Sequence, residues 1–236
     1  MLTGMNRLLL ILLALASAAA PAAAAERRFS VNDFDRIVVE GPYVVRLVVG
    51  RSSSARAMGG QAGLDRLSLD TSGQTLRIRR DRNRWGGNPE AQEGPLTIEL
   101  TTRTLRSARL LGPGRLEIDR VEGLRVDLAL EGSGRIRVAE IEADNLSVGV
   151  AGAGTIELAG RVEALTADVQ GSGNLDAAAL VAENARITSA SSGAISMQVE
   201  RAATITALGL GSIDIDGRPA CTIRGSSAAL VRCGRR

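Results

Sequence analysis

The side chains that could do chemistry in this sequence are few, and their spacing narrows what they could do. Cys221 and Cys233 are the only cysteines; they lack CxxC spacing, and the chain contains no His, so a thiolate activated by an adjacent base is excluded. In an oxidising compartment the two would form a disulfide across the last repeat, with about a dozen residues enclosed; two buried free thiols are the alternative. Asp214 and Asp216 alternate with Ile213 and Ile215, which puts both carboxylates on the outward face of one strand. Such a pair can work as acid and base when its members lie about 5–9.5 Å apart, but no basic or aromatic subsite accompanies this one. Gly171-Ser172-Gly173-Asn174-Leu175-Asp176 is a faint version of the calcium loop G-G-x-G-x-D. The column in which that Asp would have to recur holds Glu117, Arg137, Glu157, Ser196 and Asp214, and an arginine there argues against a row of cation sites. Glu117, Arg137 and Glu157 read instead as stacked opposite charges.

Absent side chains exclude more. All 29 basic residues are Arg, so there is no P-loop lysine and no Schiff base. Without His there is no Ser-His-Asp triad and no His-held zinc or haem. Only four residues are aromatic, too few to line a stacking groove for sugars or single-stranded bases. No catalytic residue, cofactor or metal is expected. Two candidate contact features remain. One is a row of outward hydroxyls at Thr166, Thr188, Thr204, Thr206 and Thr222, which also suits ordinary solvent-facing strands. The other is Trp85, in the polar insertion 81–94; it would anchor a partner or cover the N-terminal end of the core.

The elements that must position these residues announce themselves by repetition. Glycine-centred corners recur at Gly112-Pro113-Gly114, Gly132-Ser133-Gly134, Gly152-Ala153-Gly154 and Gly171-Ser172-Gly173. Weaker copies follow at Ser191-Ser192-Gly193, Gly209-Leu210-Gly211 and Gly225-Ser226-Ser227. A period near 20 residues is the mark of a solenoid. Two and four positions after each corner lie Leu116/Ile118, Ile136/Val138, Ile156/Leu158, Leu175/Ala177, Ile195/Met197 and Ile213/Ile215, all apolar, with polar residues between. This alternation predicts strands with one buried face. Leu128/Leu130, Val148/Val150, Ala167/Val169, Ile187/Ser189, Ile205/Ala207 and Cys221/Ile223 approach the corners in the same way, with looser links such as 119–123 and 140–145 between coils.

Stacked parallel coils and an antiparallel meander both fit a 20-residue period. Like lies over like at a fixed phase, which favours the parallel β-helix, and corner glycines then bring no Cβ against the coils above and below. Residues 29–111 look strand-rich but less regular, with candidate strands at 37–39, 43–49, 67–70, 76–79 and 96–100 and turns at 52–54, 59–60 and 86–89. No helix is required anywhere in 26–236. The expectation is one all-β solenoid domain over 26–236, irregular over 29–111 and regular over 112–236.

Residues 1–25 read as a signal peptide: Arg7, the apolar run from Leu8 to Ala16, and Ala23-Ala24-Ala25 before Glu26. A membrane-anchoring helix is the competing reading, but the second half of this stretch is mostly Ala and Pro21 interrupts it. Residues 26–236 carry 28 Arg against 26 acids, so the basic pI reflects arginine more than excess charge. Arg77, Arg79, Arg80, Arg82 and Arg84 cluster beside Asp81, but an exported chain has little access to nucleic acid, and a solvated strand end suffices.

Phe34-Asp35-Arg36-Ile37-Val38-Val39-Glu40-Gly41, the stretch 43–50, the serial corners followed by I/L-x-L/V, and Ile215-Asp216-Gly217-Arg218-Pro219 together resemble the bacterial auto-transporter adhesins with a head GIN domain. The resemblance covers roughly 30–233; Ser191-Ser192-Gly193 and Gly209-Leu210-Gly211 are degenerate corners. It implies an exported, right-handed β-helix without established enzymatic activity. The expected function is adhesin-like binding or envelope scaffolding, in the periplasm or at the cell surface. An envelope protein, a glycan or a second copy is the expected partner, with no transmembrane segment after cleavage. The alternative is a β-helix carbohydrate-active enzyme using outward carboxylates.

Overall fold

The computed structural model describes residues 25–81 and 95–235. The less regular part supplies β1 (Ala25–Phe29), β2 (Arg36–Glu40), β3 (Val44–Val49), β4 (Ser54–Gly59), the one-turn helix α1 (Gln61–Asp65), β5 (Leu67–Ser72), β6 (Thr75–Arg80), β7 (Thr97–Thr102) and β8 (Ser107–Leu111). The repeats supply β9 (Arg115–Ile118), β10 (Val121–Gly132), β11 (Arg135–Gly152), β12 (Thr155–Gly171), β13 (Asn174–Ser191), β14 (Ile195–Ala207), β15 (Ile213–Gly217), β16 (Ala220–Arg224) and β17 (Val231–Arg235).

Repeats stack as parallel coils. Ile136 pairs in parallel with Leu116 on one side and Ile156 on the other, which eliminates the meander. The result is an all-β solenoid of about six turns. One inward column runs Ala57, Ile98, Val45, Leu116, Ile136, Ile156, Leu175, Ile195, Ile213, Val231. Every member except Val231 is buried. Full burial of a Leu or Ile side chain contributes about 1.5–3 kcal/mol, so such columns are what hold the rod together.

Each coil has three sides. Face A follows the corner and holds β9, β15, β17 and the first residues of β11–β14. Face B precedes the corner and holds β8 and the later residues of β10–β14. The links expected to be loose form a third side: Val121, Glu122 and Gly123 pair with Ile141, Glu142 and Ala143, which pair in turn with Gly160, Arg161 and Val162. Gly160 is required there, at φ +125° with the backbone of Ile141 against the position a Cβ would take.

Coil order departs from chain order in the first part. β2 and β3 sit between β6/β7 below and β8/β9 above, all pairing in parallel. The chain therefore builds its second rung first, turns back through β4 and α1, completes the rung beneath, and then rises past β2 and β3. Antiparallel strands finish this end: β4 on β7, β1 on β4, and β5 on β6.

Four expectations need correction. A helix is present, α1, which begins directly after Gly60; a 3₁₀ turn at Ala228–Leu230 is a second helical piece. β1, β4 and β8 lie outside the expected strands, since the inward positions of β4 and β8 include the small Ala55, Ala57 and Ala108, yet they pair; Ser54 and Gly59, read as turn residues, are the ends of β4. The 119–123 and 140–145 links belong to the third side, as above. Finally, Gly225-Ser226-Ser227 is not in phase with the other corners. Arg224 lies over Thr206, so Gly225 lies over Ala207, and the last corner starts at Ser227. Thr222 consequently stacks on Thr204 and Cys221 on Ala203, each two residues from the position that the spacing predicts.

Candidate binding surface

Glycine corners fix the register from which every outward side chain takes its place. A Cβ on Gly134 would lie 2.6 Å from the carbonyl oxygen of Gly114, and one on Gly154 would lie 2.6 Å from that of Gly134. Gly114, Gly193 and Gly211 face the coil below in the same way, Gly173 faces both the Val150 side chain and the Gly154 carbonyl, and Gly152, Gly171 and Gly209 meet the coil below two residues earlier in their corners. Gly112 and Gly132 adopt positive φ, and Gly41 in Gly41-Pro42-Tyr43 is an unanticipated lower member of the column. In the degenerate corner, Ser191 donates its hydroxyl to the Gly173 carbonyl and accepts the N–H of Gly193, so a side chain replaces turn geometry there.

Outward from face B, one column runs Asp127, Ser147, Thr166, Arg186, Thr204, Thr222 and its neighbour Ala129, Gly149, Asp168, Thr188, Thr206, Arg224. The five threonines are thus brought to one face, in two adjacent rows. Small side chains leave a shallow groove of about 270 Å³ floored by Ala129, Gly149 and Val150 and edged by Asp168 and Gln170. Trp85 lies outside the described residues, as do Arg82 and Arg84. Of the other members of the arginine cluster, Arg77 pairs with Glu40 at 3.3 Å and Arg79 with Asp70 at 3.4 Å.

Face A carries charge instead. Its outward column reads Arg56, Glu99, Arg46, Glu117, Arg137, Glu157, Asp176, Ser196, Asp214, Arg232. Glu117 takes Arg46 at 3.3 Å, and Glu157 takes Arg135 at 3.5 Å and Arg137 at 3.9 Å. Both oxygens of Asp214 accept hydrogen bonds from Arg232, whose guanidinium is held more firmly protonated by that hydrogen bond and by the carboxylate charge. Asp214 is therefore an ion-pair partner and not one half of a free acid–base pair with Asp216. In the calcium-like segment, Asn174 accepts the N–H of Ala194 and Asp176 accepts from Ser196, so both side chains serve the coil above.

The structure joins Cys221 and Cys233, with Cα atoms 6.5 Å apart. Their positions continue two inward columns, above Ala203 and Ile215, where no further coil follows among the described residues; Cys221 is exposed in consequence. Asp35 was not singled out by sequence reasoning. It is buried, its Oδ2 lies 3.3 Å from Arg106 Nε, and its carbonyl accepts the N–H groups of Arg106 and Ser107, which fastens the β2 rung beneath β8. A single acid after Phe34 gives no signal of this. The third side has a groove of about 510 Å³ lined by Glu122, Glu142, Asp144, Glu163, Glu183 and Arg161 around the exposed Leu124.

Parallel coils with a glycine corner column and side-chain rows in register define a β-solenoid. Residues 33–219 match the family described as "Putative auto-transporter adhesin, head GIN domain", and the chain belongs to that family. Its fold is similar to that of a Bacteroides fragilis protein described as a "putative adhesin", with TM-score 0.77 and 19% identity over 90% of this chain and 97% of that one. A Parabacteroides distasonis protein described as a "Putative lipid binding protein" follows at TM-score 0.68 and 22% identity, covering 92% and 98%. A Parabacteroides merdae "putative adhesin" has TM-score 0.68 and 16% identity, covering 91% and 97%. Among curated proteins no match reaches significance. Family and neighbours carry adhesin or binding descriptions and no enzyme name. Among the described residues no helix is long and apolar enough to cross a membrane.

Proposed function

We propose that this chain is an exported, non-enzymatic binding module of the cell envelope, adhesin-like, which meets its partner through face B. The observation that carries the reading is the register of Thr166, Arg186, Thr204 and Thr222 beside Asp168, Thr188 and Thr206, continued downward into the shallow groove floored by Ala129 and Gly149. Thr222 over Thr204 and Thr206 over Thr188 repeat a hydroxyl at the coil rise of about 4.8 Å, with Arg186 as a charged contact between Thr204 and Thr166. This spacing suits a periodic ligand such as a glycan chain or another β-surface. The leader-like residues 1–25 support export to the periplasm or the outer surface. Against the carbohydrate-active alternative stands the Asp214–Arg232 pair, which occupies one of the two carboxylates that chemistry would need.

The test is a glycan array and an envelope-extract capture with the wild type and with Thr166→Arg/Thr188→Arg, whose bulky side chains would break the rows. Binding without turnover, reduced about tenfold or more in the double variant at unchanged thermal stability, is the expected result. Release of reducing or unsaturated sugar ends would overturn it in favour of the enzyme.

A further inference from the structure

Leu208, Leu210 and Leu230 lie together at one corner of the last two coils. Leu208 and Leu210 flank Gly209, which sits over Ser191, and Leu230 immediately precedes Val231, which sits over Ile213. Their exposures are 53%, 82% and 42%. The contrast with the other corners is sharp. At the middle of each triplet, where Leu210 stands, the earlier corners have Pro113, Ser133, Ala153, Ser172 and Ser192. In the column of Leu208 the coils below present Ala190, Gln170, Ala151 and Glu131. Below Glu131 the same column holds Leu111, which is half-buried; among the described residues, exposed large aliphatic side chains stand on this corner edge at the last two coils alone. Ile223, in an inward column, adds to the apolar surface because no coil covers it.

The charge around this corner is one-sided. Residues 184–236 contain seven Arg and three acids, whereas 26–183 contain 21 Arg and 23 acids. Of the three acids, Asp214 is matched by Arg232, and Glu200 pairs with Arg161 on the third side. Residues 217–236 contain five Arg and no acid. Arg224 is exposed and stands three residues from the start of the last corner. An end with this charge repels a copy of itself, so two molecules meeting end to end are disfavoured.

Exposed leucines beside the exposed Arg224, in a stretch of five Arg and no acid, suit a surface that is apolar beneath and anionic on top. We infer that the C-terminal corner of the solenoid docks on an anionic phospholipid surface. Leu208, Leu210 and Leu230 enter the boundary between headgroups and acyl chains, and Arg224 meets the phosphates. The rod then stands on the membrane by its end, with Arg224 the uppermost outward residue of face B and the rest of that face free along the flank. This contact is separate from the face-B reading and does not depend on it.

The experiment is co-sedimentation of the processed protein, recovered from an exporting host, with vesicles of phosphatidylcholine alone and with vesicles containing phosphatidylglycerol. Retention by the anionic vesicles is expected, with at least about a tenfold lower affinity for the neutral ones and release at high salt. Leu208→Ser/Leu210→Ser should weaken the anionic binding by about tenfold or more at unchanged thermal unfolding, since both side chains are largely outside the core. Three results would each overturn the inference: no binding to anionic vesicles, equal binding to neutral ones, or binding indifferent to the leucine substitutions. Sedimentation velocity supplies a fourth. A leucine-dependent dimer without vesicle binding would assign the corner to a second copy.

Discussion

At the scale of single residues, position relative to the coil below decides what a substitution does. Gly134→Val would drive a side chain into the Gly114 and Gly112 carbonyls, 2.6 and 2.8 Å from the Cβ position, both of them backbone and unable to yield locally. A loss of about 3 kcal/mol is expected, read from urea unfolding. Gly149→Ala is the control: nothing lies within 4 Å of its Cβ position, and the change should stay within about 0.5–1 kcal/mol, towards stabilisation. Equal effects at the two sites would contradict stacking of the corners. The corner glycines were legible in the sequence because they recur at fixed phase. Gly160 and Gly217 press on the backbone of Ile141 and Val199 in the same way but lack a neighbouring copy in the chain, so repetition could not reveal them. Asp35 was invisible for a related reason: its partner Arg106 is far away in sequence and comes near only through the exchanged order of the coils.

At the scale of the strand, burial within one column sets the energetics. Ile205 and Ile223 occupy successive rungs of the same column, one fully buried and the other 36% exposed. Ile205→Ala should cost about 2–5 kcal/mol and Ile223→Ala less than about 1, measured by thermal or chemical unfolding. The last coil depends on its crosslink instead. Cys221→Ser/Cys233→Ser should lower stability by about 3 kcal/mol if the bridge acts through loop entropy, and non-reducing mass analysis of the native protein should find no alkylatable thiol. Two reactive thiols would remove that role. Strands of the regular coils were readable from strict alternation. In the first part β2, β3, β5, β6 and β7 were readable too, whereas β1, β4 and β8 were not: Ala55, Ala57 and Ala108 are buried strand residues whose small side chains give little periodic signal, and β1 and β4 pair antiparallel. The slip at Gly225 has a plainer cause. A glycine near the expected spacing passed for a corner, when the Arg224–Thr206 pairing sets the coil two residues longer.

At the scale of the molecule, the two ends differ. Antiparallel strands and α1 finish the first, while β16 and β17 leave an outer edge without a paired strand among the described residues. Amide hydrogen exchange should accordingly be slowest in β11–β13 and fastest in β16 and β17, with β4, β6 and β7 closer to the middle coils. Protection of β16 equal to that of β12 would contradict this gradient. Sequence could not foretell the asymmetry, because a cap is defined by what fails to repeat. The exchanged order of the first rungs has its own consequence for a chain that emerges from a narrow pore with its N-terminus leading. The rung of residues 36–49 gains neighbours on both sides only after residues 75–118 have come through, so the first folded nucleus cannot close until roughly half the protein has appeared. From there on, each later coil finds a finished template and can be laid down as it arrives.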